Sequence, residues 1–265
     1  VGAAGRFLRL ERPPVILSPP RLPQGSAGRR LGRAVLLAGA TLVLPETLWA
    51  PSEFHDKISQ AGVTVMDLTP SYWREVVAHS ADADVADQSI RLLILGGAAV
   101  SNRDLKAARS LYPRARVLNA YGLTETGITS CLSEVHDVGA LDDGPAAVGF
   151  PLDGADVRIL DTHGTPVADG RAGDVAVSGR LALGTTHAAA SLDPLPSVKL
   201  DGHHFYLTGD TGFLDTRAGL FITGRADRQL KIRGYRVDPE EVESILRGHD
   251  AISDAAVLGD SRSEE

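Results

Sequence analysis

The order of apolar runs along the chain predicts an α/β protein in three parts. A layered α/β subdomain with a mainly parallel sheet comes first, then a β-rich, barrel-like subdomain, then the start of a small α+β C-terminal domain. Three observations predict this. Short apolar strands alternate with helix-length segments over residues 33–138, the pattern of βα units. After about Gly139 the helical period gives way to short strands between Gly, Asp and Pro turns. A strand and a helix with an acidic first turn then follow from residue 227 onward.

Residues 1–32 carry Pro13, Pro14, Pro19, Pro20 and Pro23 and predict an irregular leading segment. Residues 34–38 read as helix, and 40–44 as a short apolar strand stopped by Pro45. Residues 53–61 read as a helix closed by Gly62, followed by a strand over 63–68 and a helix over 70–79. The unbroken apolar run 90–95, ending in Gly96 and Gly97, has the composition of a parallel strand buried on both faces. Ser101 can cap a helix reaching Tyr112, and the next strand begins at Arg116 and runs to Asn119. In the second part, 148–160, 173–178, 205–207, 213–215 and 220–223 read as strands. In the last, 229–233 is a strand and 239–247 a helix, with Pro239 in its first turn. The organisation is therefore 1–32, 33–138, 139–226 and 227–265.

With 265 residues and 43% hydrophobic content, the chain can bury a sizeable core. With a net charge of -7, nothing points to nucleic acid as a partner. Cys131 is the single cysteine and cannot form an intramolecular disulfide, so a reducing cytoplasm is the expected compartment. A lone Cys in such a stretch reads as packing rather than as a nucleophile. No run of eighteen apolar residues is present, so no membrane span is expected. Residues 1–10 lack both an initiator Met and a signal-peptide core, the look of the interior of a longer protein.

Four clusters carry chemistry. Asn119-Ala120-Tyr121-Gly122-Leu123-Thr124-Glu125-Thr126 follows a strand, so it lies at the carboxyl end of the sheet, where open α/β folds place ligands. A Gly beside a Tyr lets a planar group approach and stack, and Thr124 and Glu125 suit phosphate and Mg²⁺. Gly96-Gly97-Ala98-Ala99 permits close approach of a flat ligand, although neither GxGxxG nor GxxxxGK[ST] occurs. In Tyr206-Leu207-Thr208-Gly209-Asp210, the Asp can accept from two ribose hydroxyls or simply belong to a turn between strands. The run from Gly224 to Val237 places five cations among apolar residues. Its acidic surroundings and the absence of an aromatic platform exclude a nucleic-acid surface.

The series GGAA, NAYGLTE, YLTGD and GRADRQLKIRGYRVDPEEVE resembles the adenylate-forming superfamily, from about Ala34 to the end of the chain. In its last motif, with Gln229, Lys231 and the E-E-x-E helix, it is most similar to the adenylation domains of nonribosomal peptide synthetases. The resemblance implies activation of a carboxylic acid by ATP to an acyl-adenylate. Transfer to a thiol then follows, either the phosphopantetheine of a carrier-protein domain or CoA. It implies adenine stacking on Tyr121, with Gly122 beside it and Gly97 and Ala98 lining the pocket. Thr124 would contact phosphate, Glu125 would hold Mg²⁺, and Asp210 would bind the ribose hydroxyls with Arg225 nearby. Asp227 would be a hinge, and Lys231 would belong to the segment that the hinge swings toward the site. Asp67, Ile94, Gly96, Ala120, Ile128 and Thr129 would surround the acyl group.

Two of the family's parts are not found. No Ser/Thr/Gly-rich phosphate loop ending in Lys occurs in residues 1–32, and the chain ends before the family's late lysine. The expectation is that this polypeptide alone does not form adenylate. The Asp that usually meets a substrate ammonium is also missing, since an ungapped count puts Gly25 and Ser26 there. Either the acid lacks an α-amine, being a keto, hydroxy, aryl or fatty acid, or Asp67 supplies the counter-charge. Besides the synthetase reading, a segment of a fatty or aryl acyl-CoA ligase and a catalytically degenerate scaffold stay open.

Overall fold

The computed structural model describes residues 14–17, 39–80, 89–123, 126, 129–136, 144–179, 185–188, 191–194, 196–226, 230–232, 235–237, 239–249 and 251–258. The helix expected at 34–38 lies outside them.

A seven-stranded sheet organises the first half. Strand β1 (Val15–Leu17) runs parallel between β2 (Thr41–Val43) and β3 (Val65–Leu68). Strands β4 (Leu92–Gly96) and β5 (Arg116–Tyr121) extend the parallel run. Strands β6 (Cys131–Glu134) and β7 (Phe150–Pro151) then add antiparallel. On one face, Met66, Leu68, Leu93, Leu95 and Val117 pack with Phe54 and Ile58 of α1 (Phe54–Gln60). Trp73 of α2 (Pro70–Ala78) and Leu105 of α3 (Asn102–Leu111) join the same cluster. The alternate residues Val65, Leu92, Ile94, Leu118 and Ala120 form a second cluster with Ile16. Burial on both faces is why these strands read as unbroken apolar runs. The helices are joined by polar contacts as well. His55 lies 2.6 Å from Ser80 Oγ and 3.2 Å from the Tyr112 hydroxyl, linking the ends of α1, α2 and α3.

The irregular reading of the leading segment fails at Val15–Leu17. Ile16 and Leu17 are buried, and the Thr64 hydroxyl accepts from the Val15 N–H at 3.0 Å. Three residues beside two prolines show no periodicity, and both partner strands are remote in sequence. Only the tertiary pairing reveals the strand.

The second sheet starts at β8 (Ala155–Leu160) and β9 (Gly173–Gly179), whereas composition put the change near Gly139. The expected strand 148–160 is broken into β7 and β8 by a turn that donates from Ala155 N–H to Leu152 C=O at 2.8 Å. Strand β10 (Thr185–Ala188) pairs with β11 (Ser191–Pro194) as a two-stranded sheet among the described residues. Strand β12 (Ser197–Leu200) pairs with the first half of β13 (His203–Asp215), and β14 (Gly219–Arg225) with its second half. The expected β-rich subdomain is thus an antiparallel five-stranded sheet. The two strands expected at 205–207 and 213–215 are one continuous strand, β13.

The sheets meet where Gly149 crosses Gly219. Leu220 N–H donates to Gly149 C=O, and Val148 N–H donates to Leu220 C=O, both at 2.8 Å. Beyond them β15 (Leu230–Ile232) and β16 (Tyr235–Val237) form a hairpin, and α4 (Pro239–Arg247) lies against β14. Glu243 of α4 is buried and accepts from Val257 N–H at 2.9 Å.

Candidate active site

Tyr121 is the last residue of β5, so its ring leaves the carboxyl edge of the parallel sheet, and Gly122 follows it half-buried. On the adjacent strand, Gly96 pairs with Ala120 at the same edge. A Cβ on Gly96 would lie 2.5 Å from the Ala120 carbonyl oxygen, so only glycine lets the strands pair there. Gly97 and Ala98 then emerge exposed. The GGAA and NAYG segments are therefore side by side, as their place after adjacent parallel strands requires.

Asp210 reaches the same place from the second sheet. Thr208, Gly209 and Asp210 face the single residue Val175 of β9, so they form a bulge within β13 and not a turn between two strands. The bulge is held by Thr208, whose hydroxyl donates to Val175 C=O at 2.9 Å and accepts from Asp210 N–H at 3.0 Å. Arg225 ends β14 directly across from Asp210. The Tyr121 hydroxyl donates to Asp210 Oδ2 at 2.6 Å, and the Arg225 guanidinium donates to Oδ1 at 3.0 Å. The buried carboxylate thus has a cation and a phenol arranged around it. Burial above all, then the charge of Asp210 and the hydrogen bond to it, raises the Tyr121 pKa well above its ordinary value. The phenol therefore stays a donor at neutral pH.

The remaining candidates divide. Asp67, Ile94 and Ala120 are all buried, and Asp67 pairs with Ile94 in the register. Alternation places Asp67 on the sheet face that carries Ile94 and Ala120, and it is engaged in a polar interaction within the fold. Thr129 is half-buried and likewise engaged. Lys231 pairs with Arg236 along the backbone of the β15–β16 hairpin. Thr124, Glu125, Ile128 and Asp227 lie outside the described residues. Near the first three the described residues 123, 126 and 130 are tied down. Leu123 N–H donates to the Thr126 hydroxyl at 3.2 Å, Ser130 Oγ donates to the same hydroxyl at 2.8 Å, and Ser130 N–H donates to Tyr121 C=O at 2.8 Å.

Cys131 pairs with Tyr121 across β5 and β6 and is fully buried, which pushes its thiol up to about 12. Such a thiol is not a nucleophile at neutral pH. It also makes alkali destabilising. Cys131 and Tyr121 keep their protons in the fold above the pH at which the unfolded chain, with values of 9.0 and 10.0, releases them. Their contribution is complete below those values and is then lost by about 1.4 kcal/mol per pH unit per group. Denaturant midpoints measured from pH 8 upward should begin to fall near pH 9, and in Cys131→Ala only near pH 10.

Thr208 and the Thr126–Ser130 pair were not picked out from sequence. A Thr two residues before an Asp whose N–H it caps is a readable local pattern. Thr208→Val is expected to cost about 1–2 kcal/mol of unfolding free energy by leaving two backbone groups unpaired. Thr208→Ser should restore most of it in the same denaturation assay.

The family described as AMP-binding enzyme matches residues 32–185. Among curated proteins, isonitrile lipopeptide synthase of Streptomyces coeruleorubidus is 32% identical over 84% of this chain. Surfactin synthase subunit 2 of Bacillus subtilis is 32% identical, also over 84%. The chain spans only 15% and 6% of the lengths of those two relatives. Among solved structures, NpsA of Klebsiella oxytoca, in complex with 3-hydroxyanthranilyl-AMSN, matches 97% of this chain and 54% of its own length. Its TM-score is 0.80 at 22% identity. o-Succinylbenzoate CoA synthetase (MenE) of Bacillus subtilis, with the acyl-adenylate OSB-AMP, covers 98% of this chain and 51% of its own length, with a TM-score of 0.78 at 21% identity. At such identities the structural likeness speaks for the fold. The sequence matches, the fold they share and the edge at which Tyr121 meets Asp210 lead to one statement: this chain belongs to the family of AMP-binding, adenylate-forming enzymes.

Proposed function

We propose that this chain supplies the adenosine-binding part of an AMP-forming carboxylate ligase of the peptide-synthetase adenylation type. In that reaction a carboxylate oxygen attacks the α-phosphorus of ATP, and the bond to the pyrophosphate leaving group breaks. A thiol then attacks the acyl carbon and AMP departs. The observation that carries the reading is the Tyr121–Asp210–Arg225 constellation, drawn from two sheets to the carboxyl edge of the parallel one. Asp210 would accept the vicinal ribose hydroxyls, Tyr121 would offer a ring face to adenine, and Arg225 would hold Asp210 in place. Gly97, Ala98 and Gly122 would admit the base. Fixed donors and charges of this kind lower a barrier in which charge is redistributed rather than created.

Mg²⁺ would be the metal of this reaction. Among the described residues no group of three or more His, Cys, Asp or Glu could hold a metal. Mg²⁺ keeps waters and phosphate oxygens as ligands and needs only one or two carboxylates. Glu125 would be that carboxylate, with Thr124 at the phosphate. The ion would neutralise charge on the phosphate oxygens. Asp67, Ile94, Gly96, Ala120, Ile128 and Thr129 would border the acyl group. Asp227 would be the hinge of a small domain comprising 227–265 and carrying Lys231. The acceptor would be a carrier-protein phosphopantetheine, in line with the peptide synthases among the relatives and the Klebsiella oxytoca adenylation–PCP fusion NpsA-ThdA among the structures. A CoA thiol is the alternative. The reaction suits a reducing cytoplasm; among the described residues no helix is long and apolar enough to cross a membrane.

Isothermal titration of the chain with AMP tests the reading. Saturable binding is expected, and its absence would favour a scaffold. A screen of amino, keto, aryl and fatty acids with AMP present should single out one class. Pyrophosphate exchange by these residues alone is not expected, because no phosphate loop ending in Lys is found among them. An exchange signal dependent on one acid overturns that part.

A further inference from the structure

We infer that Arg74, on α2, is a positioning residue for the nucleotide pocket, acting through the loop that follows β4. The inference rests on the nucleotide reading above. The side chain spans two structures. Its Nε and Nη2 donate to the two carboxylate oxygens of Asp104 at 2.9 and 2.8 Å, and Nη2 also donates to the Ala99 carbonyl at 3.2 Å. Asp104 is buried and is also the anchor of the loop's far end. Its Oδ2 accepts from Ser101 N–H and Ser101 Oγ, both at 2.8 Å, closing the capping box of α3.

Gly97, Ala98 and Ala99 are exposed, so no core packing sets their path. The carbonyl of Ala99 is held by the same guanidinium that pairs with the cap. Strand β4 fixes the loop's start, and the Ser101–Asp104 cap fixes its end. Arg74 holds the stretch between, where the base would lie. A guanidinium is needed because it is planar and carries several donors in a rigid fork. A lysine could keep the charge beside Asp104, and with it the cap, but could not hold that carboxylate and the Ala99 carbonyl in one plane.

Arg74→Lys therefore separates fold support from loop positioning. The measurements are AMP titration and thermal unfolding, both on the whole chain. The expected result is AMP affinity about tenfold weaker and a Tm within about 2 °C of wild type. Unchanged AMP affinity in Arg74→Lys overturns the role of Arg74 and leaves the nucleotide reading intact. So does a loss of affinity matched by a collapse in Tm, the mark of a purely structural residue. Failure of the wild-type chain to bind AMP sinks the nucleotide reading, and the role of Arg74 with it.

Discussion

Asp210→Ala is expected to weaken AMP binding by about a hundredfold, the largest functional effect of any single substitution in this site. Each hydrogen bond from a ribose hydroxyl to a carboxylate is worth about 1.5 kcal/mol or more, and two such bonds correspond to roughly two decades of affinity. The substitution also removes the acceptor of the Tyr121 phenol and the counter-ion of Arg225. Arg225 is partly exposed and can turn to water, whereas the half-buried phenol loses its carboxylate acceptor at a cost of about 1 kcal/mol. Thermal unfolding must accompany the titration, to show that a folded chain is being measured. Tyr121→Phe is the companion experiment. It keeps the ring and removes one donor, so affinity should fall about tenfold or less. An Asp210→Ala chain that stays folded and binds AMP like wild type would remove the main support for the nucleotide reading.

Gly149→Ala is expected to be the most destabilising Gly→Ala substitution among the described residues. At Gly149 the backbone sits at φ 81, where an L side chain is strained, and the added Cβ would lie 2.1 Å from the Leu132 carbonyl oxygen. Both the clashing atom and its neighbours are backbone, so nothing flexible can yield. The same residue hydrogen-bonds Leu220 and couples the two sheets. Conformational strain of about 1–2 kcal/mol is therefore joined by displacement of a strand, for a total of about 4 kcal/mol. For a chain of this size that is a fall in Tm of about 10 °C. Gly170→Ala separates the two effects, since Gly170 has φ 80 but open space where a Cβ would go. It should show only the conformational part. Equal losses at the two positions would show that the Gly149 crossing is not a tight junction.

The parallel layer was legible because burial on both faces leaves its mark in the sequence itself. The run 90–95, Ser101 as a helix cap and the Gly at 62 are all local signals, and the structure has β4, α3 and the end of α1 where they point. Val15–Leu17 carried no such mark. Its burial depends on pairing with strands far along the chain, and its flanking prolines argue for irregular backbone. Locally, Thr208-Gly209-Asp210 is equally compatible with a ribose-binding Asp and with a plain turn between two strands, because Gly-Asp commonly ends a strand. It is a bulge because β13 continues against β9 on one side and β14 on the other.

The sequence by itself determined the order of the layers, the two glycine-rich edges and the residue types that suit adenosine. Those are matters of local pattern, spacing and chemical kind. The tertiary structure alone decided that Tyr121 and Asp210, 89 residues apart, touch, and that a buried thiol beside them is inert. It likewise decided that Arg74 holds a loop 25 residues away. The physical reason is common to all three. A hydrogen bond or a desolvated charge depends on angstrom distances set by how two sheets and a helix layer pack, and no local pattern records that packing.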